Sequence, residues 1–105
     1  MPQRQNQVTH KSDEVQGEGS FVVMHRLTFG QVQKFGPLLL SDEKYVEGVN
    51  ALLVACVAKW NWVDDEGQPL ALPSEGLNLD ILSNDEILFL IGKSNTRREQ
   101  VEAKN

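Results

Sequence analysis

The chain alternates between stretches where apolar residues recur with a clear period and stretches where they hardly occur. Residues 1–19 are of the second kind: Val8 and Val15 are the sizeable apolar side chains among Gln, Asn, Ser, Gly and charged residues. Such a stretch buries too little apolar surface to offset its ordering entropy, so it reads as a flexible N-terminal arm. Phe21-Val22-Val23-Met24 follows Gly19 and is β-branched and aromatic, which predicts one short strand reaching about Leu27. Thr28 with Gln31 three residues later has the spacing of a capping box. A short helix is expected from Phe29 to about Phe35, with Phe29, Val32 and Phe35 on one face and Gly36-Pro37 ending it.

The strongest apolar pattern comes next. Ser41 is a good N-cap, and Asp42 and Glu43 would sit in a first turn where the helix dipole favours acids. Tyr45, Val49, Leu52, Cys56 and Trp60 then form one stripe at helical spacing, and Leu53, Val54 and Val57 widen it. This predicts a long central apolar helix over residues 45–60. A helix apolar almost all round must be covered on several sides, and a domain this small has little to cover it with. Tyr45, Val49, Leu53, Val54 and Val57 are therefore candidates for self-association or partner contact as well as for the core.

Residues 60–70 are the most distinctive part of the chain: Trp60-Asn61-Trp62-Val63-Asp64-Asp65-Glu66-Gly67-Gln68-Pro69-Leu70. Two tryptophans two apart at a helix end can anchor the following loop against the core. Asp64-Asp65-Glu66-Gly67 is turn chemistry, and Pro69 and Pro73 favour extended backbone after it. A calcium loop needs oxygens at alternating positions and a distal Glu, whereas these acids are consecutive and their side chains diverge. Leu77, Leu79 and Ile81 alternate through a loop or extended stretch. Ser83 and Glu86 then give a second capping box and predict a helix from Asn84 to about Gly92, burying Ile87, Leu88, Leu90 and Ile91. Residues 94–105 read as a polar C-terminal tail. The expected fold is thus mainly α: a small single helical domain over residues 20–93, with one short N-terminal strand, the long central apolar helix and a capped C-terminal helix.

Composition narrows the function classes. The chain has 105 residues, 10 Lys or Arg against 15 Asp or Glu, and one cysteine. One thiol cannot form an internal disulfide or a cysteine-based zinc site. No run of about 18 apolar residues spans a membrane, and the polar N-terminal stretch lacks the apolar region of a secretory signal. Residues 20–93 carry five bases against ten acids, the opposite of the basic surface that phosphate backbones require. No cofactor or metal is expected. His10 and His25 have no Ser, Cys or carboxylate at a catalytic spacing, and Cys56 sits between apolar neighbours. Gly92-Lys93-Ser94 imitates the end of a phosphate-binding loop, but Ile87 stands where that motif needs Gly. No enzyme is indicated.

On these residues the chain resembles the small tail assembly chaperones of long-tailed bacteriophages. The resemblance spans roughly residues 20–92 and rests on Leu27-Thr28-Phe29-Gly30, the apolar helix after it, the Trp-x-Trp-x-Asp-Asp-x-Gly-x-Pro-Leu run over residues 60–70, and Leu72-Pro73-Ser74. The N-terminal stretch is not part of the pattern. The resemblance implies a non-enzymatic, mainly helical protein of the host cytoplasm, absent from the finished virion. It implies binding to the tape-measure protein, which it keeps soluble, and recruitment of tail-tube protein. Many members exist in two forms made by ribosomal frameshifting, and this chain would match the shorter. Trp60, Trp62, Asp64, Asp65, Gly67, Pro69 and Leu70 would be the shared helix-end and turn motif.

The physics of a holdase fits the pattern, since apolar surface for a client and acidity for solubility coexist on one chain. A homo-oligomer is expected through the same surface. The alternative is a structural virion protein of the tail or neck. A small enzyme or ligand-binding protein would need polar groups converging on a pocket, which the spacing does not offer.

Overall fold

The computed structural model describes residues 2–94. Among them it contains four α-helices and a three-stranded antiparallel sheet, which corrects the mainly helical expectation. The strands are β1 (Gln7–Lys11), β2 (Phe21–His25) and β3 (Val57–Trp60), in the order β1-β2-β3. The helices are α1 (Asp13–Gln16), α2 (Phe29–Leu40), α3 (Tyr45–Cys56) and α4 (Asn84–Ser94). The expected tail over residues 94–105 lies, apart from Ser94, outside the described residues.

The first correction falls on the stretch read as an arm. β1 pairs with β2 from Gln7↔His25 to Lys11↔Phe21, and α1 fills the connection between them. Val8 and His10 point to the half-buried side of β1, opposite the buried Met24 and Val22. One apolar residue in the strand is too few for a sequence signal, because most of its stability comes from pairing with β2. The chain leaves α1 through Gly17 at φ 97 and ψ 172, a conformation that only glycine adopts readily.

The second correction is that no long apolar helix exists among the described residues. The run expected over residues 45–60 divides at Cys56, and Val57-Ala58-Lys59-Trp60 forms the third strand beside β2. Val22 faces Trp60 and Val23 faces Lys59, but Met24 faces Val57, so Ala58 is the extra residue of a bulge. Strict alternation would put Val57 and Trp60 on opposite faces. The bulge turns both inward, at 3 % and 9 % exposure. A helical and a strand reading of such a short apolar run are equivalent in the sequence, and pairing with β2 decides between them.

α2 also departs from expectation. Its capping box forms: Gln31 N–H donates to Thr28 Oγ1 at 3.1 Å, and Thr28 N–H to Gln31 Oε1 at 2.9 Å. The helix then runs through Gly36-Pro37 to Leu40. Proline normally clashes with the Cβ of the residue before it, and Gly36 has none. Ser41 closes α2 and its Oγ accepts from Lys44 N–H at 3.2 Å, so α3 starts at Tyr45 rather than directly after Ser41. Gly48 lets the two helices cross closely, because a Cβ there would lie 2.7 Å from Leu38 Cβ and 3.2 Å from Leu38 C.

α3 is the centre of the core. It packs against α2, α4, β2, β3 and a 3-10 turn at Pro73–Glu75. Val49, Leu52, Leu53 and Cys56 are buried among Val22, Met24, Phe35, Val57, Trp60, Trp62, Leu82, Phe89, Leu90 and Ile91. Most of its apolar surface is thus covered within the domain, while Val46 and Val54 stay exposed. The capping box of α4 joins Ser83 and Glu86 at 2.8 and 3.1 Å. In that helix Phe89 takes the buried place expected for Leu88, which is 42 % exposed. A second 3-10 turn, Leu79–Ile81, occupies the stretch expected to be loop or extended.

Leu53 is fully buried and its neighbour Val54 is 43 % exposed. Leu53→Ala should therefore cost about 2–5 kcal/mol, while Val54→Ala should stay within about 0.5–1 kcal/mol of wild type. Urea denaturation of the two variants checks this; equal losses would contradict the placement of α3.

Candidate functional site

The segment over residues 60–70 is a closed loop growing out of β3. Trp60 and Trp62 lie two apart on the inward side and stack with centroids 4.5 Å apart and planes 5° from parallel. Phe89 of α4 meets Trp62 at 6.2 Å, tilted. Trp60 Nε1–H donates to the Leu70 carbonyl at 3.2 Å, and Leu70 N–H to the Trp62 carbonyl at 2.9 Å, so the loop returns to its own base. A bridge between Val63 and Pro69 narrows it further. At its tip Asp64 Oδ1 accepts from Glu66 N–H and Gln68 N–H, both at 2.9 Å, and Gly67 takes φ 79. The first acid is therefore occupied with building the turn, whereas Asp65 and Glu66 project into solvent.

Trp62 is fully buried, so its indole N–H needs an acceptor inside the protein. It donates to Ser12 Oγ at 2.9 Å, Ser12 Oγ–H to Ser20 Oγ at 2.7 Å, and Ser20 Oγ–H to the Gly17 carbonyl at 2.7 Å. Two glutamine and asparagine side chains extend the same attachment. Gln16 accepts from Val63 N–H at 2.9 Å and donates to the Val63 carbonyl at 3.0 Å, as a neighbouring strand would, and its amide also donates to Glu86. Asn61 accepts from Phe21 N–H at 2.9 Å and donates to the Gly19 carbonyl at 3.1 Å. Sequence reasoning did not find Ser12, Gln16 or Ser20. Ser12 followed by Asp13 and Glu14 is a helix-start signal, but the long-range contacts leave none.

Two concavities flank α4. A groove of about 510 Å³ runs between α1, the 62–70 loop and the start of α4, with Val15, Val63, Leu70 and Ile81 as apolar walls and Asp64, Asp65, Glu66 and Glu86 as its acids. A pocket of about 280 Å³ lies at the other end, with His10, Arg26 and Lys93 over Val8, Leu27 and Val32. Burial lowers the pKa of His10 below the usual imidazole value, and the charges of Lys93 and Arg26 lower it further. Burial pushes the Cys56 thiol up to about 12, so it stays protonated near neutral pH and is no nucleophile. No group of three metal-ligating side chains occurs among the described residues. There too, no helix is long and apolar enough to cross a membrane.

The residues expected at a partner surface divide. Val49, Leu53 and Val57 are buried and Tyr45 is half-buried against the core, which corrects their candidacy as accessible contacts; Val54 alone of the five is exposed. In the loop motif Trp60 and Trp62 are buried, Leu70 is half-buried, and Asp64, Asp65, Gly67 and Pro69 are exposed. The exposed large apolar side chains elsewhere include Phe29, Leu40 and Val46, at 77, 81 and 74 %. Comparison with protein-family models, curated proteins and solved structures finds no match to this chain.

Ser12→Ala should leave the buried indole N–H without an acceptor and cost about 1–3 kcal/mol; a urea midpoint equal to wild type would contradict the hydroxyl relay. Asp64→Ala should cost about 1 kcal/mol through its two lost turn hydrogen bonds, and Asp65→Ala less than about 0.5 kcal/mol. Thermal melts of the pair measure that difference.

Proposed function

We propose that this chain is a tail assembly chaperone of a long-tailed bacteriophage. On this reading it binds the tape-measure protein in the host cytoplasm, keeps it soluble, helps recruit tail-tube protein and is left out of the finished virion. It acts by binding and performs no chemistry. The family reading rests on the Trp-x-Trp-x-Asp-Asp-x-Gly-x-Pro-Leu run and not on fold class, since the sheet departs from the expected helical fold.

The observation that supports it is a set of exposed apolar side chains on α2 and α3. Leu40 and Val46 flank the short link between these helices at 81 and 74 % exposure, and Phe29 stands at the start of α2 at 77 %. Exposed side chains of this size do nothing for the core. They suit the apolar stripe of a helical client, in the manner of a helix laid against a hydrophobic surface. The net charge of -5 keeps a protein with such a surface soluble.

A tagged chain recovered from infected cells should bring down a long helical tail protein, identified by mass spectrometry, and should be missing from purified particles. Leu40→Asp with Val46→Asp should abolish that recovery while leaving the circular dichroism spectrum unchanged. Presence in purified particles would instead make the chain a structural subunit of the tail or neck.

A further inference from the structure

Opposite charges are gathered at opposite ends of α4. Beside its first turn the loop tip carries Asp64, Asp65 and Glu66, three consecutive exposed acids on a backbone pinned by its own hydrogen bonds. Beside its last turn His10, Arg26 and Lys93 surround the pocket of about 280 Å³. The acids are exposed along the edge of the groove of about 510 Å³, and the basic side chains line a separate recess. Glu86 and Lys93 are seven positions apart on the helix, roughly 10 Å at about 1.5 Å per residue.

Among the described residues no carboxylate lines the basic pocket. Among the described residues neither Arg26 nor Lys93 forms an ion pair; Lys93 instead lies 5.4 Å from the Phe89 ring centroid. Burial disfavours protonation of His10, and both cations add to that effect. The acidic tip is equally unbalanced, since Asp65 and Glu66 extend from it without an ion-pair partner among the described residues.

We propose that the chain associates head to tail, the Asp64-Asp65-Glu66 turn of one copy seating in the His10–Arg26–Lys93 pocket of a second copy. The occupant is argued from charge complementarity. Two copies of net charge -5 repel in most orientations, and this alignment sets the clustered acids against the Arg26 and Lys93 cations, with His10 beside them. The two surfaces differ, so the contact is heterologous. A dimer retains one free turn and one free pocket, and further copies add until a ring closes or a filament extends. Leu40 and Val46 do not line the pocket, so this inference stands whether or not the client reading holds.

Sedimentation velocity of the full chain tests it, at about 20 mM and about 500 mM salt, well below and well above the ionic strength at which the Debye length is about 8 Å. Wild type should associate beyond dimer at low salt and dissociate at high salt. Asp65→Asn with Glu66→Gln should be monomeric, and so should Arg26→Gln with Lys93→Gln; all four positions are exposed, and circular dichroism should match wild type. An equimolar mixture of the two variants should form a one-to-one dimer and nothing larger, because each supplies the feature the other lacks. A wild-type chain that stays monomeric at low salt would overturn the proposal. Variants that associate as wild type does, or a mixture that stays monomeric, would overturn it equally.

Discussion

A buried indole N–H costs free energy unless an acceptor is placed inside the protein with it. Trp62 has no exposed surface, and its acceptor is a serine fifty residues earlier in the chain. That bond requires Ser12 to be buried, which requires α1 to stand over the loop and β1 to run along β2. Ser12 then hands its own proton to Ser20, whose hydroxyl ends on the Gly17 carbonyl, so no group in the relay is left unsatisfied. The same ring stacks on Trp60 and meets Phe89, joining β3 to α4. Much of the fold is therefore arranged so that one large side chain can be dry.

This constraint separates what was legible in the sequence from what was not. Both capping boxes could be read because each joins residues three apart, and Thr28–Gln31 and Ser83–Glu86 form in the structure. β2 could be read from Phe21-Val22-Val23-Met24. β1 and α1 could not, because the N-terminal stretch is ordered by partners in residues 21–25, 62–63 and 86 rather than by its own apolar content. Gln16 shows the difficulty plainly. Its side chain pairs with Val63 as a strand backbone would, and no local pattern announces that.

The misreading of residues 45–60 has a related cause. Helical spacing persists through Val57 and Trp60 only because the bulge at Ala58 changes the strand's phase, so a strand with one extra residue imitates a helical stripe. The excess apolar surface on α3 suggested contact with another molecule. Instead the sheet on one side and α2 and α4 on the others cover it, and Leu53 and Val57 are core. A third strand supplies the cover that four helices alone would not. The exposed apolar positions lie mostly outside that stripe, at Phe29, Leu40 and Val46, where isolated residues leave no periodic signal.

Local rules of helix chemistry also shape the electrostatics of the whole surface. Asp85 and Glu86 occupy the first turn of α4 and Lys93 the last, as the helix dipole favours. The acidic loop is held beside that first turn by Gln16, which bonds both Val63 and Glu86. Arg26 and His10 are brought beside the last turn by the β1–β2 pairing, which sets His10 against Val22 and places Arg26 directly after β2. An arrangement that begins as stabilisation of one eleven-residue helix thus becomes a separation of charge across the molecule. A net charge of -5 spread evenly would only repel other acidic surfaces. Acids gathered at one end of a helix and cations at the other give the surface a direction, and direction is what a specific protein contact needs beyond solubility.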